Sequence, residues 1–519
     1  MIARTQAALL LVASAALFLH GIDWGLPHTH PWHGDSISHS ALHWLSGKLS
    51  GFTKYPPVQH LVLIAAYTPY ILWLWVRGEL DTGAGTLEDA FTDPVAAMTG
   101  FQLISRLVGV ILALCTVWLV VRTVRRLSND NSAALLAGAI FAASPEVGFF
   151  ARIAMVDLPM VFWFAAALAL LVELPSDWSA KRAAVLGAVV ALGMCTKEQI
   201  AGAWVLPPLG LILLARGSRG TPKHPSPWRA FGAGTLAWLL TYTVASKLAF
   251  DPAGWAERME TWLGDATSPE VWGGHPATLH GQLLVLRDTV QHLAYAMGPE
   301  LLALTATGAL LALVLRAPRA WLLGGAALSY SIFTLASLRY VKTRFVLPLV
   351  LLLAILAGLG FAAGLSRRGR LRTAVLAAAL LLAGIGAFRS WSFGSRMQRD
   401  SRYAVEAFLS ETLEPGASVE AYADDQYLPR LHTAGLVAQR VRGADMQAAP
   451  FLERQPEAVI LAPSSHWKLG ARGKSFVAWL QASSGYRVHA FESTLDEARW
   501  VSPESLEITQ SRFVVLLRN

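Results

Sequence analysis

The sequence predicts a polytopic α-helical membrane protein with a soluble α/β domain at its C-terminal end. Three observations predict it. The chain is 54% hydrophobic and only 15% charged, with a mean hydropathy of +0.43. A soluble globular chain averages about 25% charged residues. Apolar runs recur through the first three quarters, and several approach the roughly 20 residues that span a bilayer. From Arg396 onward these runs shorten and charges become frequent.

The elements follow in order. Arg4 precedes an apolar run over residues 7–22, and Ala13-Ser14-Ala15 falls inside that run rather than after it. This reads as an uncleaved first helix that starts in the cytoplasm. Further apolar runs cover residues 107–121, 133–150, 158–174, 183–193, 201–214, 231–245, 301–315, 321–336, 345–363 and 373–387. Basic residues order the loops between them: Arg122, Arg125 and Arg126; Lys181 and Arg182; Arg216, Arg219, Lys223 and Arg229; Arg316 and Arg319; Arg367, Arg368, Arg370 and Arg372. Placing all five groups in the cytoplasm satisfies the positive-inside rule. Residues 217–227 read as a Pro/Gly-rich cytoplasmic loop.

One run tests the scheme. Residues 58–76 are apolar enough to span. If they did, the acidic stretch 79–93 would face the cytoplasm and Arg122, Arg125 and Arg126 would face outward, against the charge pattern. Residues 36–48 and 58–76 therefore read as interfacial helices in one long outer loop, with Pro56, Pro57 and Pro69 at bends. The count becomes about eleven spanning helices. An odd count puts the C-terminus on the outer face, periplasmic or extracellular, of a cytoplasmic (inner) membrane.

Residues 1–390 thus form the membrane domain and residues 391–519 a soluble domain of ordinary size. In the latter, residues 403–413 and 474–482 read as helices, and 418–422, 458–462, 486–491 and 512–517 as strands. It holds no glycine-rich phosphate loop, nucleophile elbow or metal cluster. The two cysteines, Cys115 and Cys195, suggest neither a disulfide framework nor a metal site. The net charge of +8 marks cytoplasmic loops rather than nucleic-acid binding.

Ionisable residues gather at outer helix ends. Asp35 follows the first helix in Trp32-His33-Gly34-Asp35-Ser36. Arg152 and Asp157 lie between two spanning runs. Thr196-Lys197-Glu198 follows a Gly/Ala-rich helix, and Arg339, Lys342 and Arg344 precede the run 345–363. Three cations on the cation-poor side call for a bound anion, or for snorkelling to headgroups. Asp157 before Leu158-Pro159 suits a helix cap as well as catalysis. Lys197 and Glu198 also read as a structural ion pair. Asp35 is the hardest to explain structurally, although it precedes a helix it would cap. His28, His30, His33, His39 and His43 match no common zinc spacing and read as solvated interface histidines.

In order and spacing these segments resemble the GT-C glycosyltransferases, in particular family 39, which includes the protein O-mannosyltransferases and the lipid A aminoarabinose transferases. The resemblance runs through Asp35 to His39, Tyr55-Pro56-Pro57, Ser105-Arg106-Leu107 opening the next helix, Ala151-Arg152 to Asp157, Thr196-Lys197-Glu198, and Arg339-Tyr340 to Pro348. It covers roughly residues 7–388. Ser36 departs from it, because the family has a second acidic residue there, and Asp35 is left as the lone carboxylate of the motif.

The resemblance implies an inverting transferase that moves a sugar from a polyprenyl-phosphate donor to a protein, lipid or polysaccharide acceptor at the outer face of the bilayer. It implies Asp35 as the general base, with Asp157 orienting hydroxyls or assisting it. Lys197, Arg339, Lys342 and Arg344, together with Arg106, Tyr55 and His39, would bind lipid phosphate and sugar. No cofactor is required, and a divalent metal held by Asp35 and Asp157 is compatible with the scheme. A lipid or sugar transporter or flippase is the alternative. It more often places charge at the bilayer midplane and shows repeat symmetry, and no repeat is visible here. A non-catalytic scaffold would need neither Asp35 nor the outer cations.

Overall fold

The computed structural model describes residues 2–28, 32–45, 55–81, 83, 90–217, 226–264, 272–315, 319–365, 369–423, 425–441, 446–462, 470–483, 485–492, 500–509 and 512–518. Lys54, Glu88, Arg219, Lys223, Arg316, Arg367, Arg368 and His30 fall outside them. The chain divides into two compact units. The first takes in residues 1–20, 40–69 and 104–391, the second residues 21–39, 70–103 and 392–519.

The first unit is a helical bundle. Across the described residues of the whole chain, six helices are long and apolar enough to cross a membrane, or eight if each of two bent pairs is one span. Val58–Val76 is among the six by length and composition. The bent pairs break where the sequence provides a reason. Ser144, which is extended (φ −66°, ψ 119°), separates Asn131–Ala143 from Pro145–Ala151, because a residue before proline disfavours the helical region. Gly298 at φ 87° joins Leu279–Met297 to Pro299–Val314 across a 111° bend. Only glycine adopts that φ readily.

The most enclosed span is residues 343–364, 89% buried within the structure. Its helix, Leu347–Leu365, packs closely against Pro299–Val314 through facing glycines. A Cβ on Gly360 would collide with the Gly308 carbonyl, and one on Gly308 with Ala357 Cα. In lipid, where burial against another helix removes no water, such close backbone approach supplies the association energy. Gly187 and Gly234 make the same kind of contact between Ala180–Met194 and Pro227–Ala245. Residues 105–107 lie inside the 35-residue helix Pro94–Ser128 rather than at its opening. The helix simply begins at Pro94, where proline suits the first turn.

The second unit carries a five-stranded sheet: β1 (Val419–Ala421), β2 (Ala438–Arg440), β3 (Ala458–Leu461), β4 (Tyr486–Glu492) and β5 (Arg512–Arg518), in the order β2-β1-β3-β5-β4. β1 pairs parallel with β2 and β3, and β5 runs antiparallel to β3 and β4. Period-2 alternation splits the sheet between two cores. Ala458, Ile460, Phe513 and Val515 join Val405 and Leu409 of helix Ser401–Thr412. Val459, Leu461, Val514 and Leu516 join Phe476, Val477 and Leu480 of helix Gly470–Ser483. The predicted strands and helices of this region all form, and β2 is added at an edge.

Candidate active site

Asp157 and Lys197 form the base of the site. Asp157 is the first residue of the helix Asp157–Glu173, and the residue before it, Val156, is the N-cap, without a side-chain cap bond. The carboxylate is therefore available for another partner. Lys197 Nζ donates to Asp157 Oδ1 at 2.5 Å, with the two side chains 3% and 0% exposed. Asp157 Oδ2 is buried and has no hydrogen-bond partner among the described residues. Lys197 reaches this point because the chain leaves helix Ala180–Met194, turns on the Lys197 N–H to Gly193 carbonyl bond (3.0 Å), and re-enters a 3₁₀ helix at Glu198. Lys197 and Glu198 do not pair with each other as their adjacency suggested. Glu198 instead accepts from Arg258 Nε at 3.2 Å, and Arg258 also donates to the Ser246 carbonyl at 3.2 Å.

Lys197 opens into a pocket lined by Tyr55, Gln199, Trp262, Trp272, Lys342 and Arg344, among others, with about 50 Å³ of enclosed space. Five stretches of chain deliver these groups. The Tyr55-Pro56-Pro57 turn is fixed by the Val58 N–H, which donates to the Cys195 carbonyl at 3.0 Å, two residues from Lys197. Phe345 lies under two cations, 5.1 Å from Lys197 Nζ and 5.5 Å from the Arg344 guanidinium. Its carbonyl is held by Tyr330 Oη at 2.8 Å. Lys342 lies 4.6 Å from the Trp272 ring, and the intervening Thr343 bonds His292 Nδ1 at 2.8 Å. Aromatic faces hold cations in place without neutralising them, while Lys197 is also paired with Asp157.

Four of the sequence-predicted residues, Tyr55, Lys197, Lys342 and Arg344, line this pocket, and Asp157 supports it. Arg339 does not line it. It sits just before the lining residue Tyr340, in a left-handed backbone conformation (φ 58°), and its carbonyl accepts from the His275 N–H at 2.8 Å. Arg106, a residue of the same unit, is fully buried within helix Pro94–Ser128. Arg152 is also buried. Its Nη2 donates to the Leu17 carbonyl at 3.1 Å, which is a structural role. Asp35 and His39 belong to the second unit. Asp35 is fully buried, and its N–H donates to the Trp32 carbonyl at 2.8 Å. Among the described residues, no group of three His, Cys, Asp or Glu stands where it would hold a metal.

Sequence reasoning missed Gln199, Trp262, Trp272 and Phe345 in the lining. Only the two tryptophans carried a signal, as aromatic residues between the apolar runs 231–245 and 301–315.

Residues 91–245 match the family model of dolichyl-phosphate-mannose-protein mannosyltransferase. No curated protein matches the chain in sequence. Among the solved structures that share its fold are two of ArnT from Cupriavidus metallidurans. The one bound to undecaprenyl phosphate has a TM-score of 0.57 and 15% identity, and covers 98% of this chain and 97% of its own. The apo structure has a TM-score of 0.55 and 14% identity, and covers 99% and 98%. The chain is thus a membrane protein that shares the ArnT fold over nearly its whole length, and its segment 91–245 is similar to a mannosyltransferase family, which relates it to the GT-C glycosyltransferases.

Proposed function

We propose that this chain transfers a sugar, with inversion, from a polyprenyl-phosphate donor to an acceptor at the outer face of the cytoplasmic membrane. The observation that carries the proposal is the pocket with Lys197, Lys342 and Arg344 on its walls, with Asp157 beneath Lys197. Three cations around a small, largely aromatic-walled space fit a phosphate. The Arg344 fork suits two of its oxygens, and the lysines act as point charges. An acceptor O–H or N–H attacks the anomeric carbon. The anomeric C–O bond to phosphate breaks, its electron pair stays on the lipid phosphate, and the proton passes to the Asp35 carboxylate. Lys197, Lys342 and Arg344 stabilise the charge that grows on the leaving oxygen. Asp157 orients Lys197 through their bond. Tyr55 contacts the phosphate or sugar, and Arg339, Arg106 and His39 support binding. The reading assigns the acceptor to protein, lipid or polysaccharide, counts about eleven spans, and puts residues 391–519 outside the membrane. That an ArnT of this fold was solved with undecaprenyl phosphate supports a lipid phosphate as ligand.

The test is a deletion strain. Its lipid extract is expected to accumulate one polyprenyl-phosphate sugar, and its envelope to lose one modification. Unchanged lipid and glycan profiles would favour the transporter or flippase reading, which then requires a change in the sidedness of a lipid.

A further inference from the structure

We infer that Asp400 and Arg402, immediately after the last long helix, are positioning residues for the loop that carries Asp35. This rests on the reading of Asp35 as the base. All the residues involved belong to the second unit. Asp400 and Arg402 are both 0% exposed in their side chains and form a two-point ion pair, Nε to Oδ1 at 3.0 Å and Nη2 to Oδ2 at 2.6 Å. Two fully buried charges are a costly way to hold a domain together, and apolar residues of the same volume commonly do as well or better. The pair therefore calls for a role in specifying geometry.

Its other contacts point to that role. Trp24 Nε1 donates to Asp400 Oδ2 at 3.2 Å. The Arg402 guanidinium lies over the Trp32 ring at 3.5 Å and over the Trp24 ring at 5.1 Å. Tyr403 Oη accepts the Gly25 N–H at 2.6 Å, and its ring meets Trp32 edge-on at 5.8 Å. Arg430, bound to Glu406 through a second two-point pair, donates to the Leu26 carbonyl at 2.6 Å. Gly25 leaves room for this arrangement, because a Cβ there would collide with the Trp32 ring.

Trp32 is the link to the base. Its carbonyl accepts the Asp35 N–H at 2.8 Å, closing the 3₁₀ turn His33–Asp35. Beyond the turn, Ser38 Oγ lies 2.6 Å from both the Asp35 carbonyl and Gln102 Oε1. The ring that Arg402 grips and the carbonyl that fixes Asp35 thus belong to one residue. A planar guanidinium stacked on an indole resists rotation in a way a lysine does not.

The test is a mutant cycle. The probe is the lipid-linked sugar isolated from a strain lacking this chain, and the readout is its transfer into that strain's membranes by purified variants. The paired change Asp400→Asn/Arg402→Met removes both charges and strands neither. It is expected to leave membrane abundance and donor KM unchanged and to lower kcat by roughly 10–100-fold, the scale on which small misplacements of a catalytic group act. Trp32→Leu leaves the ion pair intact and carries the same expectation should the paired variant not accumulate. The decisive readout is coupling. In an Asp35→Asn background either change is expected to cost no more than roughly 2-fold further, because the group it positions is gone. A purely structural role predicts the same factor in both backgrounds, and that result overturns the inference. Wild-type kcat in both variants, with Asp35→Asn inactive, also overturns it while leaving the base reading standing. Wild-type activity of Asp35→Asn instead removes the base reading itself.

Discussion

Replacing Lys197 by methionine is the most informative single perturbation of the pocket, because its two consequences can be separated. The side chain is 3% exposed and its partner Asp157 is 0% exposed, with 2.5 Å between Nζ and Oδ1. Methionine fills a similar volume and removes the charge. Asp157 already has one buried oxygen with no partner among the described residues, and the substitution takes the Lys197 partner from the other. Stranding one member of a buried ion pair costs about 3–5 kcal/mol. That is a large part of the stability of most domains. Lys197→Met is therefore expected to melt well below wild type in detergent, or to accumulate poorly.

Asp157→Leu/Lys197→Met removes both charges and is expected to recover most of that stability, because the desolvation cost disappears with them. It is expected not to recover transfer, because the pocket has lost a cation that faces the leaving group. The assays are thermal unfolding by intrinsic tryptophan fluorescence and transfer from the isolated lipid-linked sugar. A single variant as stable as wild type would refute the buried-pair reasoning. A double variant that transfers normally would refute the catalytic part.

Other outcomes follow from the same geometry. Asp35→Asn keeps size and hydrogen bonding but cannot accept a proton, so transfer should fall at least roughly 100-fold at normal abundance; near-wild-type turnover would remove Asp35 from the chemistry. Gly360→Leu drives a side chain into the Gly308 carbonyl and should abolish folded protein, whereas Gly384→Leu, where a Cβ meets nothing within 4 Å, should be tolerated; equal yields would contradict the close helix contact. In a background lacking Cys115 and Cys195, a cysteine at the 64% exposed Glu492 should label with an impermeant thiol reagent from outside the membrane, and one at the exposed Arg229 should not. The opposite pattern would invert the proposed topology.

The soluble sheet was legible because β3 and β5 are continuous apolar runs and their neighbours have clear turn signals. β2 escaped because Ala438-Gln439-Arg440 is a short, half-exposed edge strand with no alternation to read. In the first unit, the charged clusters read from the sequence included Lys197, Lys342 and Arg344, which share one pocket. They did not reveal partners. Asp157 and Lys197 are 40 residues apart, and the local pattern of each suggested something else, a helix cap and a neighbour pair. Nothing in the local sequence sets Asp400 or Arg402 apart from the other charges after Arg396. Only folding brings Trp24 to Asp400 across 376 residues and turns both charges inward. Periodicity reports which face of an element is apolar. It carries no information on which buried charges meet.

The central claim, that the cation-lined pocket holds a lipid phosphate, is tested most directly by binding of undecaprenyl phosphate to the purified protein, followed by tryptophan fluorescence. Trp262 and Trp272 line the pocket and supply the signal. A bidentate charge-assisted contact contributes about 1.5–3 kcal/mol, so Arg344→Ala should weaken binding roughly 10–100-fold. Arg344→Lys should fall between the two, because it keeps the charge and loses the fork. Equal affinity in wild type, Arg344→Lys and Arg344→Ala would contradict the account, leaving Arg344 as a cation that only reaches for headgroups.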